Sequence, residues 1–568
     1  MKRFFSIAAV AVAMFATTAN ADPLPLVVLG AGEGQPVRTP WCQETDRVLS
    51  ADSLYLITGL YYVEPGFSLT IEPGTVIMGD FETGGTLIVT RGAQIFAQGT
   101  QQRPIVFTSE KAIGARNPGD WGGIIVLGDA PVNKVNPLIE GGLIAGTCAG
   151  GGGTYGGSDP ADNSGVISYV RIEYCGFRFQ LNNEVNGLTM GGVGSGTQID
   201  HVQVSYSNDD SYEWFGGTVD CPYLVAFGGV DDEFDTDFGY RGKVQFAFGL
   251  RDPDFSDPTG ESNGYESDND GSSSSTATPY TKPTFVNHTL VGPERTDALV
   301  GTWIGTYQYS GVLRRSTQTS IYNSVIMGYP WGMSIRDATT QGWASGDSLQ
   351  IRNTHVQATF IPSGSTHIHD ETRWSGVDTW FTTPAFNNVG LATTQPSSVL
   401  LTDLTDLNDP NPVPSVGSPL IGTADFSSPR LADCVVVDYK GAFDPSLPMD
   451  QQWTYYWTNF DPQNTDYTMG LPTAIGSEPA FREYLSQNYP NPFNPQTSID
   501  FVVPATGNVT LEVFDVSGAK VATLFDGVKT AGSRNTVSFN ADGLASGVYF
   551  YRLRGNGFTE MRKMVLLK

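Results

Sequence analysis

The sequence predicts an all-β fold, a right-handed parallel β-helix followed by a small antiparallel sandwich. Three observations lead there. Short phrases such as "SLTIEPGTVIMGD", "GTLIVTRGAQIFAQGT" and "RPIVFTSE" alternate apolar and polar residues and stop at Gly or Pro, the period of two that marks strands. Similar phrases then recur at a spacing of ~20 residues, which means stacked coils. Near Ser477 the text changes to longer alternating strands with turn residues between them.

The coils can be taken in order. "YVRIEYCG" places Val170 and Ile172, "HVQVSYSN" Val202 and Val204, "YLVAFGG" Leu224 and Ala226, and "KVQFAFG" Val244 and Phe246. "TFVNHTLVG", "SIYNSVIMG" and "LQIRNTHVQ" continue the series. No helical periodicity separates them, so the solenoid is a parallel β-helix. A second element recurs as "NGLT" (Asn186 to Thr189), "DSYE" (Asp210 to Glu213), "DEFD" (Asp232 to Asp235), "NGYE" (Asn263 to Glu266) and "WGMS" (Trp331 to Ser334). Its third position is always apolar, namely Leu188, Tyr212, Phe234, Tyr265 and Met333. Side chains alternate across a strand, so the fourth position points away from the core. That column reads Thr189, Glu213, Asp235, Glu266, Ser334, and it is expected to face solvent. The segment Asp403 to Leu420 reads as loops closing the end of the helix, where an open strand edge needs cover.

Composition bounds the function. The chain has 568 residues, 59 Asp+Glu against 32 Lys+Arg, and a net charge of -27. A hydrophobic content of 40% supports a packed core. The acidic balance excludes nucleic-acid binding, which needs Lys and Arg to replace phosphate counterions. Residues 1–21, with Lys2, Arg3, an apolar run and Ala19-Asn20-Ala21, read as a secretory signal cleaved before Asp22. No later run reaches the ~18 apolar residues of a membrane helix. Five cysteines (Cys42, Cys148, Cys175, Cys221, Cys434) contain no C-x-x-C pair, which argues against structural zinc. An oxidising compartment permits up to two disulfides with one thiol left over, and the partners stay open.

The tail carries "NYPNPFNP", "FDVSGAKVATL", "GLASGVYFYRL" and a terminal "KMVLL". In these motifs it closely resembles the type A sorting domain of the bacterial type IX secretion system. The resemblance implies an Ig-like sandwich over residues 476–568, handling by the type IX machinery, and display on the cell surface or release outside the cell. The body, with "LTIEPGTVI", "GDWGGIIVLG", "DNSGVISYVRIEY" and "FGYRGK", resembles secreted bacterial β-helix proteins with such tails. It is assigned residues 22–475 with capping segments at either end. That likeness implies a fold and no defined activity.

The chemistry rests on the acids. Coils stack ~4.8 Å apart, so Glu213 neighbours Asp235, and Asp209 and Asp210 lie over Asp231 and Asp232. Carboxylates that close repel unless a proton or a cation intervenes, and Ca2+, which takes 6–8 oxygens, is the natural relief. Glu266, Asp268 and Asp270, with Asp252, Asp254 and Asp257 of the acidic loop "DPDFSDPTGESNGYESDNDG", are expected to feed the same face. The alternative is a solvated acidic wall. Function is thus read as surface binding or structure, with calcium or a glycan as ligand. The rival is a carbohydrate-active enzyme: a polysaccharide lyase with Arg241 and Lys243 as basic partners of Asp232 and Asp235, or a glycoside hydrolase with Glu213 and Asp235 as its carboxylate pair. His367 and His369 read as a surface H-x-H pair, and Gly146 to Gly157 as a flexible loop without the Lys-Ser/Thr ending of a phosphate cradle. Trp303, Trp331, Trp343, Trp374 and Trp380 read mainly as core or cap residues, with a sugar platform as the alternative.

Overall fold

A computed structural model describes residues 24–468 apart from 33, 181–182, 259, 273, 302–305 and 360–367. It also describes 485–568 apart from 486–487, 489–490, 502, 504–506, 517–518, 530–534 and 556–557. The signal-like residues 1–21 and the boundary at 475/476 lie outside the described residues.

Two long parallel sheets, of seventeen and ten strands, run the length of the first part, so the chain winds as a parallel β-helix. Each coil gives one strand to the ten-stranded sheet. Coil-to-coil register aligns Tyr61, Leu87, Ile124, Leu188, Tyr212, Phe234 and Tyr265 into one inward column. All seven are fully buried in a single core that also takes Met333. The apolar third position of the repeated phrase is therefore the core position, as its period requires.

The larger sheet turns a corner within each coil at a residue of positive φ. This column is Tyr169, His201, Tyr223 and Phe246, then Asn287, Asn323, Asn353 and Asn387. Its first half stacks as rings, with centroids 4.3, 4.5 and 5.2 Å apart. Its second half is amides, which tolerate left-handed backbone best. Asn353 Nδ2 donates to Asn323 Oδ1 at 2.7 Å and to the carbonyl of Thr423 at 2.7 Å, and Asn387 Nδ2 donates to Asn353 Oδ1.

Residues 404–468 overturn the expectation for Asp403 to Leu420. The end of the solenoid is closed earlier, by Ile368, the short helix Val377–Phe381 and Trp380, which join the core. The later chain returns along the flank as a strap. Its contacts run backwards through the coils: Asn323 Nδ2 to Asp425 O, Asn287 Nδ2 to Tyr439 O, Gln203 Nε2 to Asn459 O, and Tyr467 Oη to Glu173 Oε1. The outer face of the larger sheet is apolar here, with Val225, Phe227, Phe248, Val291 and Val325, and the strap buries Leu420, Phe443 and Trp457 against it.

Among the described residues, six strands from Gln496–Phe501 to Phe558–Leu566 form two antiparallel sheets. They enclose their own core, which includes Ile499, Leu511, Val513, Tyr551 and Leu553.

Asn353→Ala removes two donors and one acceptor from a buried ladder at a left-handed position. It should lower unfolding stability by roughly 2–4 kcal/mol, measured by denaturant unfolding. A loss below ~0.5 kcal/mol would show that the ladder only follows the corner and does not stabilise it.

Candidate functional site

The outward column of the ten-stranded sheet reads Cys42, Tyr62, Ile88, Ile125, Thr189, Glu213, Asp235, Glu266, Val312, Ser334. It is apolar for three coils and acidic for three. The strand containing Val312 adds a coil between Glu266 and Ser334 that the repeated phrase did not reveal, because "YSGVL" lacks the template. The column was expected to face solvent, and that is corrected: Thr189 is 1% and Glu213 6% exposed. Chain excursions between coils cover it, because its first half is as apolar as a core. The excursion 128–164 buries Ile139, Leu143 and Tyr155 against Tyr62, Ile88 and Ile125.

The recurring acidic phrase has two jobs. Its first residue builds a backbone ladder. Asp210 Oδ1 accepts from the Asp232 N–H at 2.9 Å, Asp232 Oδ1 from the Asn263 N–H at 2.6 Å, and Asn263 Oδ1 from the Tyr309 N–H at 3.1 Å. Asp210 and the remaining acids also form a cluster. Carboxylate oxygens of Asp210, Glu213 and Asp235 lie within 4.8 Å of one another, and so do those of Asp209, Asp210 and Asp231. Asn186 Nδ2 donates to Glu213 and, at 3.2 Å, to Glu140 Oε1. Glu140 belongs to the covering excursion and has no place in any repeat, so sequence reading missed it.

Positive charge is distributed unevenly around this cluster. Arg314 Nε donates to Asp268 Oδ1 at 2.9 Å and its Nη2 to Glu266, while Arg315 pairs with Asp268. Arg178 reaches Asp257 at 3.4 Å, and Arg251 pairs with the buried Glu233 at 3.1 Å. Asp209, Asp210, Glu213, Asp231 and Asp235 have no ion-pair partner among the described residues. Arg241 and Lys243 do not partner Asp232 and Asp235: Arg241 is exposed, and Lys243 Nζ meets Asp433 at 3.1 Å. They sit past the end of the acidic strand, where the chain crosses to the larger sheet. Asp270 is also displaced, since it accepts from the Ser272 N–H at 2.7 Å and caps a turn. Asp252 accepts from the Asp254 N–H and Tyr206 Oη, and Asp254 is exposed.

Burial, and then the neighbouring acids, push the carboxyls of Asp209, Asp210, Glu213, Asp231 and Asp235 well above the ordinary carboxylate range. Burial raises Asp232 to about 6, against the pull of Arg251, and Asp237 to about 8, with Asp268 adding to it. Three oxygens in this region also lack a hydrogen-bond partner: Asn186 Oδ1, Thr189 Oγ1 and Asp235 Oδ1. Asn186 and Thr189 are 0% and 1% exposed. Buried acceptors left unmet are costly, and here they sit beside excess negative charge.

The remaining readings resolve differently. Cys42 and Cys148 form a disulfide, while Cys175, Cys221 and Cys434 remain thiols, one bridge where two were permitted. Within Gly146 to Gly157, Gly146 is open to solvent while Gly150, Gly152, Gly153 and Gly156 are buried: a Cβ on Gly150 would stand 2.4 Å from Thr90 Oγ1, so these glycines permit close approach. His369 is buried and its Nδ1 accepts from the Met333 N–H at 2.8 Å, while His367 lies outside the described residues. Trp343, Trp374 and Trp380 pack on the core, and Trp303 is outside the described residues.

A parallel β-helix with a covered carboxylate cluster on its outer strand face, followed by an antiparallel domain, defines a solenoid protein in two parts. The family model described as pectate-lyase like beta helix domain matches residues 42–396, and the chain belongs to that family. The model of the secretion system C-terminal sorting domain matches residues 487–567, which directs the protein through type IX secretion to the cell surface or the extracellular space. A search of curated proteins found no match. No helix among the described residues is long and apolar enough to cross a membrane.

The raised carboxyls set a pH dependence. A native state that holds protons the unfolded chain has released loses stability as pH rises. The buried His288, His355 and His369, lowered by burial to about 3, 4 and 3, act in the opposite sense. That opposition ends near the ordinary His value of ~6.5. In chelator, the thermal midpoint should therefore fall from pH 7 to pH 8, through the Asp237 value. A midpoint that rises over that interval contradicts the assignment.

Proposed function

We propose that this exported β-helix protein is a binding or structural protein of the cell surface whose acidic face takes up calcium, and through it an anionic group of a glycan. The observation that carries this reading is the triad Asp210, Glu213 and Asp235, with oxygens within 4.8 Å and no ion-pair partner among the described residues. Oxygen-only donors of this hardness suit Ca2+ over transition metals, which prefer imidazole or thiolate. The amide oxygen of Asn186 and the hydroxyl of Thr189 are neutral oxygens of the kind that completes such a shell. Residues 1–21 supply the leader for export from the cytoplasm, and the sorting domain engages the type IX machinery.

A carbohydrate-active enzyme is the second reading, favoured by the separation of Glu213 and Asp235. Retaining glycosidases hold two carboxyl groups ~5–5.5 Å apart. The cover over Glu213 weighs against it, because a scissile bond must reach both groups.

Thermal unfolding of the intact chain in calcium and in chelator tests the main reading. A midpoint several degrees higher in calcium is expected, with most of the shift lost in Glu213→Gln and Asp235→Asn. Equal midpoints in both buffers would overturn it. Release of reducing sugar from a polysaccharide panel, abolished in Glu213→Gln, would establish the enzyme instead.

A further inference from the structure

The excursion 128–164 leaves strand Gly123–Leu127 and returns at strand Gly165–Glu173. It holds no helix or strand of its own beyond a single bridge between Leu138 and Thr154. Such a segment keeps its place by the apolar packing of Ile139, Leu143 and Tyr155 and by point anchors, of which two kinds bear on Glu140. Cys148 is bonded to Cys42, 106 residues earlier, with Cα atoms 5.9 Å apart. Cys42 is the first rung of the same outward column that carries Glu213 and Asp235. Beside the disulfide, Glu64 Oε2 accepts from the Gly150 N–H at 2.8 Å.

Glu140 lies between further anchors. On one side the Ile139 side chain is buried against the outward column, and its N–H donates at 2.9 Å to the Gly153 carbonyl, which ties it to the part of the excursion that carries Cys148. On the other, the Arg38 guanidinium donates to the Gly141 carbonyl. The Glu140 carboxyl consequently stands at the acidic end of the cover, sharing the Asn186 amide with Glu213. The two carboxyl groups share one amide and also hydrogen-bond to each other, so a proton bridges them at the place where a cation would relieve both. Asn186 Oδ1 and Thr189 Oγ1, buried and without partners, border the same residues.

We infer that Glu140 is a cation ligand delivered by a lid, and that the Cys42–Cys148 disulfide governs calcium affinity by holding that lid on the acidic coils. The inference rests on the reading of the cluster as a calcium site. It assigns the disulfide a part in binding, transmitted through Glu140, and ties loading of the site to an oxidising compartment. Calcium affinity follows the number of charged ligands and the rigidity of the site. The two changes, removing the charge and loosening the lid, act on the same ligand and must not multiply.

Calorimetric titration of the full chain with calcium tests this in wild type, Glu140→Gln, the pair Cys42→Ser with Cys148→Ser, and all three together. We expect about tenfold weaker binding in Glu140→Gln and in the serine pair, and no further loss when they are combined. Wild-type affinity in Glu140→Gln or in the folded serine pair would overturn the inference while leaving the calcium site standing. Losses that multiply would overturn it too, because the disulfide would then act through general stability. A wild-type chain that binds no calcium would overturn the site and the inference together. Should the serine pair fail to fold, Glu64→Ala removes the acceptor of the Gly150 N–H and loosens the same anchor without touching the bond, and it carries the identical expectation.

Discussion

Everything in this molecule depends on the in-register parallel pairing of one coil with the next. That pairing places residue on residue at ~4.8 Å and turns a short phrase into a column. An inward column of Leu, Tyr and Phe becomes a continuous core without further specification. An outward column of Glu and Asp becomes, by the same geometry, a line of charges that water or protein cannot screen once covered. The backbone thus forces together groups that electrostatics would hold apart. The ladder through Asp210, Asp232 and Asn263 shows the constraint in miniature, since the same side chains that crowd the charges also satisfy the amides of the next coil.

The outer faces explain why the solenoid carries so much additional chain. A β-helix with apolar exteriors has three layers to bury where a simple one has a single core. On the larger sheet a strap supplies the cover, and on the smaller a loop excursion does so. Arginines then compensate the acids unevenly. Glu266 and Asp268 are matched by Arg314 and Arg315, whereas Glu213 and Asp235 have no ion-pair partner among the described residues. A structural acidic wall would be expected to spread its counter-charges evenly along the column. The asymmetry singles out two coils.

The parts readable from sequence were those with a period. The strand alternation, the inward column Leu188, Tyr212, Phe234 and Tyr265, and the contact of Glu213 with Asp235 all follow from repetition. What repetition does not encode went unseen. The coil bearing Val312 breaks the phrase, and Glu140 lies in a non-repeating excursion. The strap pairs residues hundreds of positions apart. Sequence reading pairs Arg241 with the acids and does not consider Arg314, because proximity in sequence is a poor guide once each coil carries neighbours a full turn away. The tail was readable for another reason: its motifs resemble a known sorting domain almost end to end.

The returning strap has a consequence for how the chain assembles. Tyr467 meets Glu173 and Gln101 meets the Tyr455 carbonyl across 294 and 354 residues of sequence. Contacts of such separation form late, because each must wait for the intervening chain to be in place. Every coil between must also be present and in register, since one slipped rung would shift the strap's partners by a whole step. The strap therefore acts as a gauge of completed winding, closing only on a solenoid of the right length.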